Sequence, residues 1–124
     1  MAVIHSFKDL IVYQKAYKVS MEIFYLTQSY PREETYSLTD QIRRSSRSVT
    51  ANLAESWAKR RYIKVFVNKL TDSLGEALET ENWLLYSKDC GYISEENFHD
   101  LMLQYDEVRK MLISMINKPE KFCS

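Results

Sequence analysis

The chain has 124 residues, 45% of them hydrophobic and 27% charged, with 17 basic and 17 acidic side chains and a formal net charge of zero. That is the make-up of an ordinary soluble globular chain with one core, and it excludes a disordered or strongly basic protein. Two Gly and two Pro leave little turn chemistry, which argues against a sheet of many hairpins and favours long helices.

Residues 1–7 read as a short extended lead-in. A first helix is predicted over 9–29, where Leu10, Tyr13, Tyr17, Ser20, Phe24 and Thr27 recur at helical spacing, thickened by Ala16 and Ile23. Pro31 ends it, because the residue before a proline is pushed out of helical geometry. The second helix, 38–58, has the most chemical content. Ser37 is placed to cap it, with Asp40 as the acidic partner of a capping box. Wound at about 100° per residue, this helix divides into three stripes. Ile42, Ser46, Val49 and Leu53 form a narrow apolar face, and Arg43, Arg44 and Arg47 share an arc roughly opposite. Gln41, Ser45, Ser48, Asn52 and Glu55 fall between them at alternating spacings of four and three, a heptad seam built from polar residues. Such a seam either faces water or packs against another helix through hydrogen bonds and small side chains.

The third helix is predicted over 62–89; the Lys59-Arg60-Arg61 link before it contains no breaker, so it permits a kink in place of a loop. Its apolar face is wide: Ile63, Phe66, Val67, Leu70, Leu74, Ala77, Leu78, Leu84 and Leu85. Glu81 falls near the middle of that face. The plain expectation is that it reaches past the core edge to solvent; otherwise it needs an arginine across the bundle. A second flank of small and polar residues carries Lys69, Ser73, Glu76 and Thr80. Gly91 suits the end of this helix. Ser94 caps the fourth, predicted over 95–117, with Glu95 and Glu96 favourable to its dipole. Phe98, Leu101, Met102, Tyr105, Val108, Leu112, Met115 and Ile116 form its apolar stripe, and Pro119 stops it. Four helices with short connections give an all-α, up-down-up-down antiparallel four-helix bundle, one domain over residues 1–124.

Little points to catalysis, and no cofactor or metal is expected. His5 and His99 are the only histidines, and neither stands in a Glu-x-x-His or His-x-x-x-His pair. There is no Gly-rich phosphate loop, no Gly-x-Ser-x-Gly, and no cysteine with a histidine base. Glu55, Glu76 and Glu79 can converge, but carboxylates on a bundle are far more often solvated or ion-paired than catalytic. Cys90 and Cys123 have no metal-type spacing and read as reduced thiols. Without a signal-peptide pattern or an apolar run of about 18 residues, the chain is expected to be cytoplasmic, with no membrane partner.

Charge is unevenly placed. Residues 41–64 carry Arg43, Arg44, Arg47, Lys59, Arg60, Arg61 and Lys64 against Glu55 alone, so this segment is +6 and the remainder −6. Arginines make forked contacts with phosphates, and Trp57 and Tyr62 beside the Lys59-Arg60-Arg61 link suit stacking on unpaired bases. RNA or DNA is therefore one expected partner. The competing reading is a solvated face, or arginines that pair with acids on a neighbouring subunit in a protein-only assembly module. Among Tyr13, Tyr17, Phe24 and Trp83, any left outside the core would mark an oligomer interface.

The run Pro31, Tyr36-Ser37-Leu38, Gln41-Ile42-Arg43-Arg44-Ser45, Ser48-Val49 and Asn52-Leu53-Ala54-Glu55 resembles the signature of the four-helix-bundle proteins of intervening sequences in 23S rRNA genes. The accessory variability protein of diversity-generating retroelements belongs to the same group. Phe7, Leu10 and Tyr13-Gln14-Lys15-Ala16, then Phe66, Leu70, Ser73, Glu76 and Gly91-Tyr92-Ile93, match in order. The chain departs from the family pattern at Ser56 and Asp72, where glycine is usual. The resemblance implies a left-handed up-down bundle that assembles as a ring-like homopentamer. Small and polar residues on the second and third helices would then let subunits or helices approach closely. In the retroelement branch the basic surface binds nucleic acid and the reverse transcriptase, and Arg43, Arg44 and Arg47 are the matching positions. Lys59, Arg60, Arg61 and Lys64 join them on charge alone.

Overall fold

The computed structural model describes residues 3–123. These form four α-helices, α1 (Ile11–Thr27), α2 (Leu38–Ala58), α3 (Ile63–Asp89) and α4 (Glu95–Asn117), with short 3-10 turns at Phe7–Asp9, Arg32–Glu34 and Pro119–Lys121. No strand occurs among the described residues.

Two helix starts differ from the sequence reading. The α1 stripe begins after a separate capped turn. Ser6 Oγ accepts from the Lys8 amide at 3.2 Å, the Asp9 carboxylate accepts from the Ser6 amide at 3.1 Å, and Leu10 stays extended before α1. Phe7 therefore belongs to a turn, not to an extended lead-in; residues 1 and 2 of that lead-in lie outside the described residues. At α2, Ser37 occupies the cap position but its side chain caps nothing. Its backbone (φ −124°, ψ −107°) is not the extended form that aims a cap hydroxyl at the first turn. Glu34 substitutes for it: Oε1 accepts from the Leu38 amide at 3.3 Å, and Oε2 accepts from the Tyr92 hydroxyl at 2.9 Å. That hydrogen bond stabilises the neutral phenol, so the Tyr92 side chain is pushed up to about 12.

The helices touch in ring order, α1 with α2, α2 with α3, α3 with α4 and α4 with α1, and α2–α3 is the most extensive interface. Phe66, Leu70, Leu84, Ile23, Ile42, Leu53, Leu101, Tyr105 and Leu112 fill the centre. Between α2 and α3 the pairs Glu55–Lys69, Val49–Ser73 and Ser45–Thr80 descend one helix as they ascend the other, so the two run in opposite directions.

The buried line of α3 is narrower than its apolar residues suggest. Phe66, Leu70, Ser73, Ala77, Thr80, Leu84 and Ser87 are buried at alternating spacings of four and three, whereas Ile63, Leu78 and Leu85 are exposed. Small side chains win those inward positions because α2 approaches closely there. The Ser73 hydroxyl donates to the Val49 carbonyl at 2.7 Å, and the Thr80 hydroxyl donates to Ser45 Oγ at 2.8 Å. Glu81 also departs from the plain expectation. It is 8% exposed, and Arg109 Nε on α4 donates to its Oε2 at 2.7 Å. The same guanidinium reaches Asp106 at 3.1 Å, and Lys110 holds Asp106 at 2.9 Å. These cations, Lys110 first, keep the half-exposed Asp106 carboxyl below its usual range.

Candidate nucleic-acid interface

The arginine arc of α2 divides in two. Arg43 turns onto α1 and is half-buried. Its Nε donates to Thr27 Oγ1 at 2.8 Å, its Nη2 lies 3.5 Å from the Phe24 carbonyl oxygen, and its guanidinium sits 4.9 Å from the Phe24 ring centre. Arg47, one turn on, is exposed and lies 5.7 Å from the same ring centre. Arg44 is exposed, with the Asp40 carboxylate 3.7 Å away. Phe24, which the sequence reading assigned to the core or an interface patch, is thus a platform for two arginines. The signal was available only with the fold, since it takes an α1–α2 pairing to bring the end of one helix beside the start of the next.

A second basic group lies at the far end of α2, about 18 Å of helix rise from Arg47. Arg60 stacks on Trp57 at 3.7 Å and donates to its carbonyl oxygen at 2.9 Å. Trp57 therefore already carries a guanidinium on its face, and Tyr62, 59% exposed, is the freer ring. Lys59, Arg61 and Lys64 are exposed. The structure places the seven basic residues in two groups, one on α2 and one over the α2–α3 turn and the start of α3, rather than in one stripe.

The polar seam is likewise divided. Ser45 and Ser73 lie inside the subunit, locking α2 to α3 through the hydrogen bonds above. Gln41, Ser48, Asn52 and Glu76 line an open trough along the outside of the same helix pair, shared with Arg44, Asp72, Gly75 and Glu79. Glu55 sits at the surface and accepts from Lys69 Nζ at 2.6 Å. Glu55 is thus engaged by a lysine, while Glu76 and Glu79 face the trough together.

Partial burial, then the charges of Glu79 and Asp72, raise the Glu76 carboxyl above its ordinary value. A carboxyl raised in the folded state keeps its proton longer than in the unfolded chain, so its ionisation removes stability as pH rises through that range. Glu76→Gln is expected to leave folding stability unchanged near pH 4 and to raise it at pH 7, by less than about 1 kcal/mol given solvent screening. Unfolding curves at the two pH values check this; an equal shift at both would show that the charge is irrelevant.

Among the described residues no group of His, Cys, Asp and Glu could hold a metal ion, and no helix is long and apolar enough to cross a membrane. Four helices in ring contact, with a divided basic face beside an acidic trough, define an all-α helical-bundle protein. The family model for the 23S rRNA-intervening sequence protein matches residues 8–114, and the chain belongs to that family. A protein of unknown function from the S23 ribosomal protein family of Bacteroides thetaiotaomicron has a similar structure, with a TM-score of 0.78 at 30% identity over 87% of this chain and 96% of that one. No curated protein matches the sequence.

Proposed function

We propose that this protein is a non-enzymatic, cytoplasmic scaffold that associates with RNA or DNA through the basic groups of α2 and the α2–α3 turn. A left-handed up-down-up-down bundle in one domain, assembled into a ring such as a homopentamer, would multiply a modest basic surface into several copies. Avidity then strengthens contacts that are individually weak. The heptad spacing buried along α3 supports the left-handed supercoil. In a retroelement setting, a reverse transcriptase would be a further partner.

One observation carries the nucleic-acid reading. Among the described residues, Arg44 is the only one of the seven basic positions paired with a carboxylate, whereas five of the ten basic residues elsewhere, Lys15, Lys69, Lys88, Arg109 and Lys110, are paired. Cations without internal partners are what an external polyanion requires.

The test is fluorescence anisotropy with a structured RNA and a duplex DNA across a salt series. It compares wild type with Arg44→Ala/Arg47→Ala, which leaves the packed Arg43 intact. Wild-type affinity is expected to fall with salt, with a log–log slope of about −0.9 per duplex phosphate neutralised. The double variant is expected to bind about tenfold more weakly, with a slope shallower by about one for each phosphate it no longer neutralises. Wild-type binding that is absent, or indifferent to salt, overturns the reading.

The acidic trough favours a second reading. Asp72, Glu76 and Glu79 lie beside Arg44 on one surface, a charge pattern complementary to the arginines of another copy. If those arginines serve assembly alone, the same double variant loses oligomer mass by light scattering while wild type binds no nucleic acid.

A further inference from the structure

Arg43 stands apart from the exposed arginines, and the hollow it helps to form has its own chemistry. A cavity of about 340 Å³ lies where the end of α1 meets the start of α2, lined by Phe24, Thr27, Gln28, Tyr30, Thr35, Thr39 and Arg43. Arg43 brings a charge with no carboxylate paired to it among the described residues; its Nε is held by Thr27, which fixes the guanidinium against one wall. Thr39 supplies the second feature. It is only 6% exposed, yet its hydroxyl oxygen has no hydrogen-bond partner among the described residues. A buried hydroxyl left unpaired costs stability, and such a group persists where a ligand can satisfy it. Helical threonine populates two χ1 rotamers, so a single rotation exchanges the methyl and hydroxyl of Thr39 at the cavity wall. Gln28 and Thr35 add polar groups to the rim. Glu34, on the connecting turn, is engaged by the Leu38 amide and Tyr92, and no acid lines the cavity.

The geometry points to a phosphate-binding pocket at the α1–α2 end of the bundle. A forked cation, a hydroxyl donor and neutral amide and hydroxyl groups, with no lining carboxylate, match a tetrahedral oxyanion rather than a cation or an apolar ligand. This goes beyond the nucleic-acid reading, because free phosphate and a phosphate on a nucleic acid offer the same chemistry to the pocket.

The experiment is calorimetric titration of the full chain with inorganic phosphate. It is followed by one single-stranded oligonucleotide prepared with a 5′-phosphate and with a 5′-hydroxyl. Inorganic phosphate is expected to bind wild type. Thr39→Val, which keeps the shape and deletes the hydroxyl, is expected to bind about tenfold more weakly, and Arg43→Gln at least as weakly. Lys118→Gln, an exposed cation just after α4 and outside the pocket, is expected to bind phosphate as wild type does. Without ligand, Thr39→Val is expected to unfold at the same temperature as wild type or higher, which separates impaired binding from impaired folding. A preference for the 5′-phosphorylated strand that Thr39→Val abolishes supports the pocket and makes nucleic acid the source. Binding of inorganic phosphate without such a preference also supports it, even if the basic face fails its own test. No phosphate binding by wild type, or equal binding by Thr39→Val, overturns the pocket.

Discussion

Replacing Arg109 by leucine is expected to cost about 3–5 kcal/mol of folding stability, the typical loss when one partner of a buried ion pair is removed. The Glu81 side chain is 10% exposed and that of Arg109 28%. Removing the guanidinium strands a carboxylate on the inner side of α3, with Ala77 and Leu84 buried on the turns either side of it. The double variant Glu81→Leu/Arg109→Leu is expected to regain most of that loss, because well-packed apolar residues often replace a buried pair at no net cost. Urea unfolding of wild type, both single variants and the double variant completes the cycle. A loss below about 1 kcal/mol for Arg109→Leu would show that Glu81 finds water or another donor when the arginine is gone.

Ser73→Leu is expected to cost about 3 kcal/mol, at the upper end for overpacking. Ser73 has no exposed surface, and its hydroxyl lies 2.7 Å from the Val49 carbonyl oxygen, so the larger side chain must push α3 off α2. Ser73→Ala, which loses the hydrogen bond but not the close approach, is expected to cost about 1 kcal/mol. Thermal and chemical unfolding of the two variants separate sterics from hydrogen bonding. Equal costs would mean that the bond, and not the spacing, holds the helices there.

Much of this architecture is legible in the residues. The low glycine and proline content and the 3–4 spacing of apolar residues pick out the helices, and the polar alternation on α2 flags a line that cannot be ordinary core. What fails is anything decided by a partner element. Ser37 looks like a cap because Ser stands before a helix, but the Arg32–Glu34 turn bends the backbone away and brings the Glu34 carboxylate in its place. Ile63, Leu78 and Leu85 look like core on hydrophobicity, yet the close approach of α2 rewards serine and threonine over leucine where the helices meet. Glu81 and Arg109 are 28 residues apart, and their pairing appears only when α3 and α4 are set side by side. The candidate site shows the same pattern. All seven basic residues stand out by sequence, but their division into a Phe24-backed pair, an exposed Arg44 and a distant turn does not. The Thr39 pocket is invisible, because a buried threonine without a partner looks like any other threonine.

The way the helices are joined also sets an order in time. α2 and α3 share the largest interface and are connected by only four residues, so their association closes a short loop and carries little entropic cost. By contrast, Lys15 reaches Glu107 across 92 residues and Gln104 reaches Glu22 across 82. As the chain is synthesised, the central hairpin can form as soon as α3 has emerged, while α1 keeps one flank open until α4 follows. The last of the four helices to dock is therefore the one that closes the ring between α3 and α1.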